Sequence, residues 1–149
     1  MRRLVFDAGP FILIFTKEEG SDVAREAVLK HEKGELEIFI HPSNLSEAYR
    51  VISMIKEARP KFLEKDVDPR LVIRSAYATI NVLQDEVTTI NLGALKLKYR
   101  DKPWGDLSSA ALALRLSNEE KVPVVILDEE KHFEDISEVS TVKISDLRV

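Results

Sequence analysis

The sequence contains no cysteine, a single tryptophan and only five glycines among its 149 residues. The absence of cysteine excludes disulfides, thiolate zinc sites, iron–sulfur clusters and cysteine nucleophiles. No apolar run approaches the ~20 residues needed to cross a bilayer, so we expect no membrane-spanning segment. The start, Met1-Arg2-Arg3, leads into apolar residues that Asp7 interrupts, which is unlike a signal peptide. These absences predict a soluble protein of the cytoplasm.

An excess of positive charge is also missing. The chain has 22 basic and 26 acidic residues, and its formal net charge is −4. This balance argues against binding nucleic acid through bulk charge, although it allows a local basic rim. With 44% hydrophobic residues the chain can build a core. We find no repeat and no linker rich in Pro, Gly or Ser, so residues 1–149 are predicted to form one domain.

Short runs of β-branched residues alternate with helical segments along the chain. This alternation predicts an α/β fold with a mostly parallel sheet and helices on both faces. The strands are predicted at 4–6, 37–40, 122–127 and 141–144, with a further strand or extended segment at 87–90. The helices are predicted to follow Gly9-Pro10 and to cover 22–33, 43–58, 69–83, 91–99 and 106–120. Their starts follow from Ser21, Ser43 or Asn44, Asp68, Asn91 and Asp106 as capping residues.

Four acidic residues fall near the carboxyl ends of these predicted strands. Asp7 follows the first strand, and Asp128 follows the strand that ends at Leu127. Glu47 lies one turn into the helix after the second strand, and Asp106 begins its helix. Ligands of parallel α/β sheets bind at the carboxyl ends of the strands. If these strands are neighbours, the four acids can converge on one cleft.

Clustered carboxylates repel one another, and one of them takes up a proton unless a cation neutralises them. Mg²⁺ and Mn²⁺ prefer oxygen ligands, and a metal-bound water suits the hydrolysis of a phosphodiester. Each acid also has a structural alternative. Asp7 and Asp106 would serve as helix N-caps, Glu47 as a solvated partner of Arg50 or Arg59, and Asp128 as a turn residue.

Four segments surround these acids in sequence order. They are Leu4-Val5-Phe6-Asp7-Ala8-Gly9-Pro10-Phe11-Ile12, the run from Phe39 to Arg50, the run from Gly105 to Ala113, and the run from Val122 to Asp128 followed by His132-Phe133. These segments resemble the four motifs of PIN-domain nucleases, including VapC-type toxins. The order of the motifs and the chain length match single-domain members of that family.

The resemblance implies a metal-dependent ribonuclease with a three-layer α/β/α fold. Asp7, Glu47 and Asp106 carry over by position as ligands of Mg²⁺ or Mn²⁺. The fourth acid is Asp128 when counted from Pro123 and Glu130 when counted back from Phe133. We favour Asp128 because it lies closer to the end of its strand.

Two positions depart from the family pattern. Ala8 stands where the family often has a hydroxyl residue, and Ile126 stands where Thr or Ser is common. Ser46, Ser108 and Ser109 are nearby hydroxyls that could substitute, although serine in a first helical turn ordinarily bonds the local backbone. The departures motivate an alternative in which the chain is a non-catalytic binding module that retains the acids only to contact a partner.

Other residues near the motifs have functional and structural interpretations. Trp104 could stack on a base, but we expect it to anchor its loop on the core. The three histidines, His31, His41 and His132, lack metal-ligand spacing and are interpreted as structural or surface residues. A basic rim for RNA phosphates, with a solvated surface as the alternative, would comprise Arg50, Lys56, Arg59, Arg100 and Lys102.

The resemblance therefore predicts an endoribonuclease that acts as the toxin of a toxin–antitoxin pair. The partners it implies are an RNA substrate, an antitoxin protein that reaches into the acidic cleft, and a second copy of the chain in a homodimer. A nuclease of RNA maturation or decay would use the same chemistry. Phosphoryl-transfer domains also place Asp at strand ends, but phosphatases of that kind need a second Asp where Gly9 stands.

Overall fold

The computed structural model describes every residue from Met1 to Val149 and contains a five-stranded parallel sheet. The strand order is β3-β2-β1-β4-β5. β1 lies at the centre and pairs with both β2 and β4, so that Val5 is opposite Phe39 on one side and Val124 on the other. The strands are β1 Arg2–Phe6, β2 Leu36–Ile40, β3 Asn81–Val82, β4 Val124–Ile126 and β5 Thr141–Lys143.

Six α-helices connect and cover these strands. They are α1 Ala8–Leu13, α2 Ser21–Glu32, α3 Pro42–Ala58, α4 Pro69–Thr79, α5 Glu86–Lys98 and α6 Trp104–Leu116. Short 3₁₀ helices occupy Pro60–Phe62 and Ile144–Asp146. None of the helices combines the length and the apolar character that spanning a membrane requires.

Alternate residues of the central strand divide the core into two layers. Leu4 and Phe6 face a cluster of buried residues that includes side chains from α1, α2, α3 and α4. Val5 faces a second cluster, which includes side chains from α5 and α6. Because successive strand residues point to opposite faces, each layer of helices covers one face of the sheet. The predicted α/β/α architecture is therefore present.

The region between α4 and α6 differs from the prediction. Residues 87–90 are helical, and one helix, α5, covers both that segment and the predicted helix at 91–99. Asp85 rather than Asn91 begins the helix, because its carboxylate accepts hydrogen bonds from the backbone N–H and the hydroxyl of Thr88. The strand of this region is instead β3, Asn81–Val82, which lies within the predicted helix at 69–83.

Smaller differences occur at helix ends. α2 has Gly20 at its N-cap, with a φ of 93°, and Ser21 is its first residue. α6 begins at Trp104, so Asp106 is its third residue, and it ends at Leu116 instead of 120. α3 has His41 at its N-cap, where the ring Nδ1 accepts a hydrogen bond from the Ser43 backbone N–H.

Candidate functional site

A cleft of about 540 Å³ opens at the carboxyl edge of the central strands. Residues following β1 and β4 meet there with the first turns of α3 and α6 because β1 is central in the sheet. The cleft therefore lies where binding sites of parallel sheets are expected. Its lining residues are Asp7, Ala8, Gly9, Ile12, Ser43, Glu47, Arg50, Pro103, Trp104, Gly105, Asp106, Leu127, Glu130 and His132.

Asp7 is the most enclosed carboxylate of the cleft, with only 7% of its surface exposed. Its side chain makes no capping hydrogen bond to α1, although it occupies the N-cap position. Instead Oδ1 accepts hydrogen bonds from Ser109 Oγ at 2.7 Å and Asn44 Nδ2 at 3.3 Å. No side chain donates a hydrogen bond to Oδ2. The geometry therefore favours a role in the cleft over the alternative of helix capping.

Burial raises the pKa of Asp7 to about 7, and the neighbouring carboxylates of Asp106 and Glu47 add to this effect. The hydrogen bond from Ser109 opposes the shift because it stabilises the ionised form. An ionised Asp7 in this position is costly without a positive partner, and no basic side chain forms an ion pair with it. A bound cation would supply the missing charge.

Asn44 and Ser109 form a buried pair beneath Asp7. Ser109 Oγ lies 3.1 Å from Asn44 Oδ1, and Asn44 Nδ2 also donates to the carbonyl of Gly105 at 3.0 Å. The single hydroxyl proton of Ser109 can serve only one of its two acceptors at a time. This pair joins α3 and α6 and fixes Asp7 between them.

Sequence reasoning did not predict this pair as a unit. Asn44 was expected only as a helix start, whereas Ser109 was one of three serines named as a substitute for the hydroxyl missing at position 8, with a bond to the local backbone as the alternative. A signal existed in the spacing, because Asn44 precedes Glu47 by three residues and Ser109 follows Asp106 by three. Residues three apart in a helix lie on the same face, so both residues share a helix face with an acid of the cleft.

Glu47 is exposed on α3 and approaches the start of α6 at Gly105. A Cβ atom at position 105 would lie 3.3 Å from Glu47 Oε2 and 3.7 Å from Asn44 Nδ2. A side chain there would therefore crowd the Glu47 carboxylate. The glycine allows the backbone of α6 to approach the acids of α3.

Asp106, Glu130 and His132 form a compact cluster in which one ligand atom from each lies within 4.8 Å of the others. His132 Nδ1 is 2.8 Å from Asp106 Oδ2 and 3.2 Å from Glu130 Oε1. Burial and the nearby Glu130 raise the pKa of Asp106, while His132 opposes this shift. His132 was expected to be a structural or surface residue, but it contacts two acids of the cleft.

Asp128 and Glu130 occupy different surroundings, although only one residue separates them. The exposed Asp128 turns away from the cleft, and its Oδ1 accepts a hydrogen bond from the backbone N–H of Ser145 at 3.0 Å. Glu130 lines the cleft. The backbone N–H of Glu130 bonds to the carbonyl of Leu127, so a turn after β4 directs Glu130 back towards Asp106. Asp128, the favoured fourth acid of the sequence analysis, thus lies outside the cluster, and Glu130 lies within it.

The expected basic rim is reduced to Arg50, the only one of its five predicted members that lines the cleft. The other four have local partners: Lys56 bonds to the Val67 carbonyl, Arg59 lies over the ring of Phe62, Arg100 bonds to the Leu97 carbonyl and Lys102 pairs with Asp135. The prediction for Trp104 was wrong, because its side chain is not packed on the core and the residue is 56% exposed at the cleft.

No family model matches the chain, and no curated protein matches it significantly. Among solved structures, the chain is similar to a chain in the crystal structure of VapBC2 from Rickettsia felis bound to a DNA fragment from their promoter. The TM-score is 0.65 at 14% sequence identity, and the match covers 95% of this chain and 98% of the other. At this identity the likeness shows the fold. The chain therefore has the PIN-like three-layer α/β/α fold that its sequence motifs predicted.

Proposed function

We propose that this protein is a metal-dependent endoribonuclease that hydrolyses RNA phosphodiesters and acts as the toxin of a toxin–antitoxin pair. The observation that carries the proposal is the convergence of Asp7, Glu47, Asp106 and Glu130 on one cleft of a PIN-like fold. These acids come from four separate parts of the chain. Their common location is difficult to explain by helix capping or surface solvation alone.

The donor set of the cleft fits a divalent cation. Carboxylate oxygens are the ligands that Mg²⁺ and Mn²⁺ prefer, and His132 adds a nitrogen beside two of them. Burial, with the neighbouring carboxylates as a further cause, raises the pKa of Asp7 and Asp106, so a bound cation would stabilise the ionised cluster. We assign metal binding to Asp7, Glu47, Asp106 and Glu130, with Glu130 in the fourth position. Mg²⁺ or Mn²⁺ bound there would lower the pKa of a water molecule and neutralise charge on the phosphate.

The surrounding residues would orient these ligands. Asn44 and Ser109 fix Oδ1 of Asp7 and leave its other oxygen free of side-chain donors. His132 holds Oδ2 of Asp106. Arg50 supplies a positive charge on the lining, where it can contact a phosphate of the RNA. Hydrogen-bonded supports of this kind keep metal ligands in one orientation.

The departures at positions 8 and 126 are compatible with catalysis. Both side chains are buried, and Ile126 belongs to the core between the sheet and α6. Ser109 supplies a hydroxyl to Asp7 from α6, although Ala8 beside Asp7 has none. The alternative of a non-catalytic module rests on Ala8 and Ile126, and the hydroxyl of Ser109 weakens the part that rests on Ala8.

The proposed antitoxin and homodimer are supported by exposed apolar side chains on α3, α4 and α5. Contiguous exposed apolar surface marks protein–protein contacts, and Tyr49 of α3 and Tyr77 of α4 line one shared depression of the surface. The members of this group are Tyr49, Met54, Leu71, Tyr77, Val87, Ile90 and Leu97. The VapBC2 neighbour is itself a complex bound to promoter DNA, which is consistent with a partner protein here.

Cleavage of a mixed pool of single-stranded RNA tests the enzymatic proposal. We expect cutting with Mg²⁺ or Mn²⁺, none with EDTA, and a loss of about 100-fold or more in Asp7→Asn and Asp106→Asn because each removes a ligand charge. Asp22→Asn is the matched control, since it changes an exposed aspartate on α2 that pairs with Arg25. Thermal melting of each variant verifies that it is folded.

The result that would overturn catalysis is an absence of cutting by partner-free protein together with an absence of Mn²⁺ binding in calorimetry. The binding-module alternative would then be preferred. Cutting that persists in Asp7→Asn and Asp106→Asn would point to a contaminating nuclease and would also contradict the proposal.

A further inference from the structure

Trp104 is a large aromatic residue left exposed at the mouth of the acidic cleft. It is the first residue of α6, two positions before Asp106, and it lines the same cavity as the four acids. More than half of its surface is accessible to solvent. An indole in this position contributes little to the core, although burial of its apolar surface would be favourable.

The backbone of Trp104 is fixed by its neighbours, and one cation lies beside its ring. The carbonyl of Trp104 accepts a hydrogen bond from Ser108 Oγ at 2.8 Å, and Pro103 restricts the backbone before it. Lys96 Nζ lies 5.3 Å from the ring centroid. That ammonium group donates to the carbonyls of Arg100 at 3.0 Å and Lys102 at 2.7 Å. The cation beside the ring is therefore itself fixed by the backbone.

We propose that Trp104 is a stacking platform for one unpaired base of the nucleic acid in the cleft, so that the site selects single strands over duplexes. The inference rests on the proposed function, because it places RNA at the acids. Lys96 lies beside the ring, while Trp104 is both exposed to solvent and part of the cleft lining. An aromatic ring that is exposed and fixed loses little conformational entropy when a base stacks on it.

The selectivity follows from the geometry of nucleic acids. In a duplex the faces of each base are covered by its neighbours, so an indole can stack on a base only after it has been unstacked. A single strand offers its bases without this cost. Every base has a π-face, so we expect a preference for unpaired strands with little preference among sequences. Arg50 on the same cleft can hold a phosphate while the base stacks.

The chain's own fluorescence provides a direct measurement, because Trp104 is its only tryptophan. Wild-type protein is titrated with an unlabelled single-stranded RNA octamer and with the blunt duplex of the same sequence. Titrations are run at fixed salt in EDTA and in Ca²⁺, and gels verify that the RNA stays intact. We expect the single strand to quench the emission and to bind at least about tenfold more tightly than the duplex.

Variants test whether the indole supplies the affinity. In anisotropy titrations of labelled octamer, we expect Trp104→Leu to weaken binding about tenfold or more, and Trp104→Phe to retain part of the affinity. Duplex affinity should stay the same in these variants. Phe62→Leu is the matched control, because Phe62 is an exposed aromatic in the 3₁₀ helix after α3, outside the cleft, and its loss should leave RNA binding unchanged.

Unchanged emission at saturating single-stranded RNA would overturn the stacking proposal, as would equal affinity of Trp104→Leu and wild type. An absence of any RNA binding would overturn it too. Quenching and the Trp104→Leu defect without metal-dependent cleavage would support stacking and contradict the nuclease. Cleavage that needs Asp7 and Asp106 but has an unchanged KM in Trp104→Leu would support the nuclease and contradict stacking.

Discussion

Asp7 and Asp128 follow neighbouring parallel strands at the same edge of the sheet, yet their environments are opposite. Asp7 follows β1 directly and lies buried in the cleft. Asp128 comes two residues after β4 and is exposed, where it accepts a hydrogen bond from the Ser145 backbone. The end of a strand therefore determines the sheet edge at which a residue lies, whereas the next few residues determine the direction of its side chain.

The segments that follow the two strands explain the difference. After β1 the chain enters α1 at once, and Gly9 passes so close to Leu127 that a Cβ atom there would lie 2.7 Å from the Leu127 side chain. After β4 the chain makes a turn, which directs Asp128 towards the 3₁₀ helix at Ile144–Asp146 and Glu130 towards the acids. Burial makes the ionised form of Asp7 unfavourable, whereas Asp128 is solvated and its hydrogen bond stabilises the local backbone.

Substitutions of Glu130 and Asp128 should differ most in their effect on Mn²⁺ affinity. We expect Glu130→Gln to weaken Mn²⁺ binding about 10–100-fold, because it removes a carboxylate beside Asp106 and His132. Asp128→Asn should leave the affinity within about twofold of wild type, since its side chain faces Ser145. Isothermal titration calorimetry with Mn²⁺ measures both variants, and RNA cleavage should follow the same order.

The two variants control for one another, because each neutralises one carboxylate in the same turn. A larger loss in Asp128→Asn than in Glu130→Gln would reverse the assignment and restore Asp128 as the fourth acid. Equal losses would show that the whole turn moves when metal binds.

Three members of the cleft were predicted by the rule that sites form at the carboxyl ends of parallel strands, taken together with the resemblance of the local sequences to PIN motifs. Asp7, Glu47 and Asp106 line the cleft because the sheet order places β1 between β2 and β4. The fourth acid could not be predicted in this way. Its position depends on a turn of four residues after β4, and the strand pattern carries no information on which side of that turn faces the cleft.

The remaining site residues depend on contacts between distant segments. Ser109 and Asp7 are 102 positions apart in sequence, and their hydrogen bond exists only because α6 packs beside β1. His132 reaches Asp106 through the same turn that places Glu130. At the level of elements, the start of α5 was misplaced because Val87-Thr88-Thr89-Ile90 favours a strand, whereas the Asp85 cap and packing of α5 on α6 favour a helix.

A smaller effect concerns the stability of the metal-free protein. The pKa of Asp7 is raised to about 7 from an ordinary 3.8, so between these pH values the folded state binds more protons than the unfolded state. The contribution of Asp7 to stability therefore falls as pH rises from about 4 to 7. Asp7→Asn removes this loss, so in EDTA at pH 8 we expect its free energy of unfolding to exceed that of wild type by about 1–2 kcal/mol.

Urea denaturation at pH 4 and pH 8 measures this difference, which should be small at pH 4. Saturating Mn²⁺ should reverse the order at pH 8, because only the wild type keeps the Asp7 ligand. Asp128→Asn controls for the loss of one negative charge. Equal stabilisation by both substitutions would attribute the effect to net charge and contradict the role of burial.

Removal of the Asp128 side chain should change the free energy of unfolding in the opposite direction to Asp7→Asn, and by a smaller amount. Asp128→Ala removes the acceptor of the Ser145 N–H, and we expect it to lower the free energy of unfolding by about 1 kcal/mol, with or without metal. Asp128→Asn keeps an oxygen acceptor, so it should retain most of that stability. If Asp128→Ala instead stabilised the metal-free protein as Asp7→Asn does, the two strand ends would share one environment. Opposite signs at the two positions would show that loss of an acid stabilises the buried strand end and destabilises the solvated one.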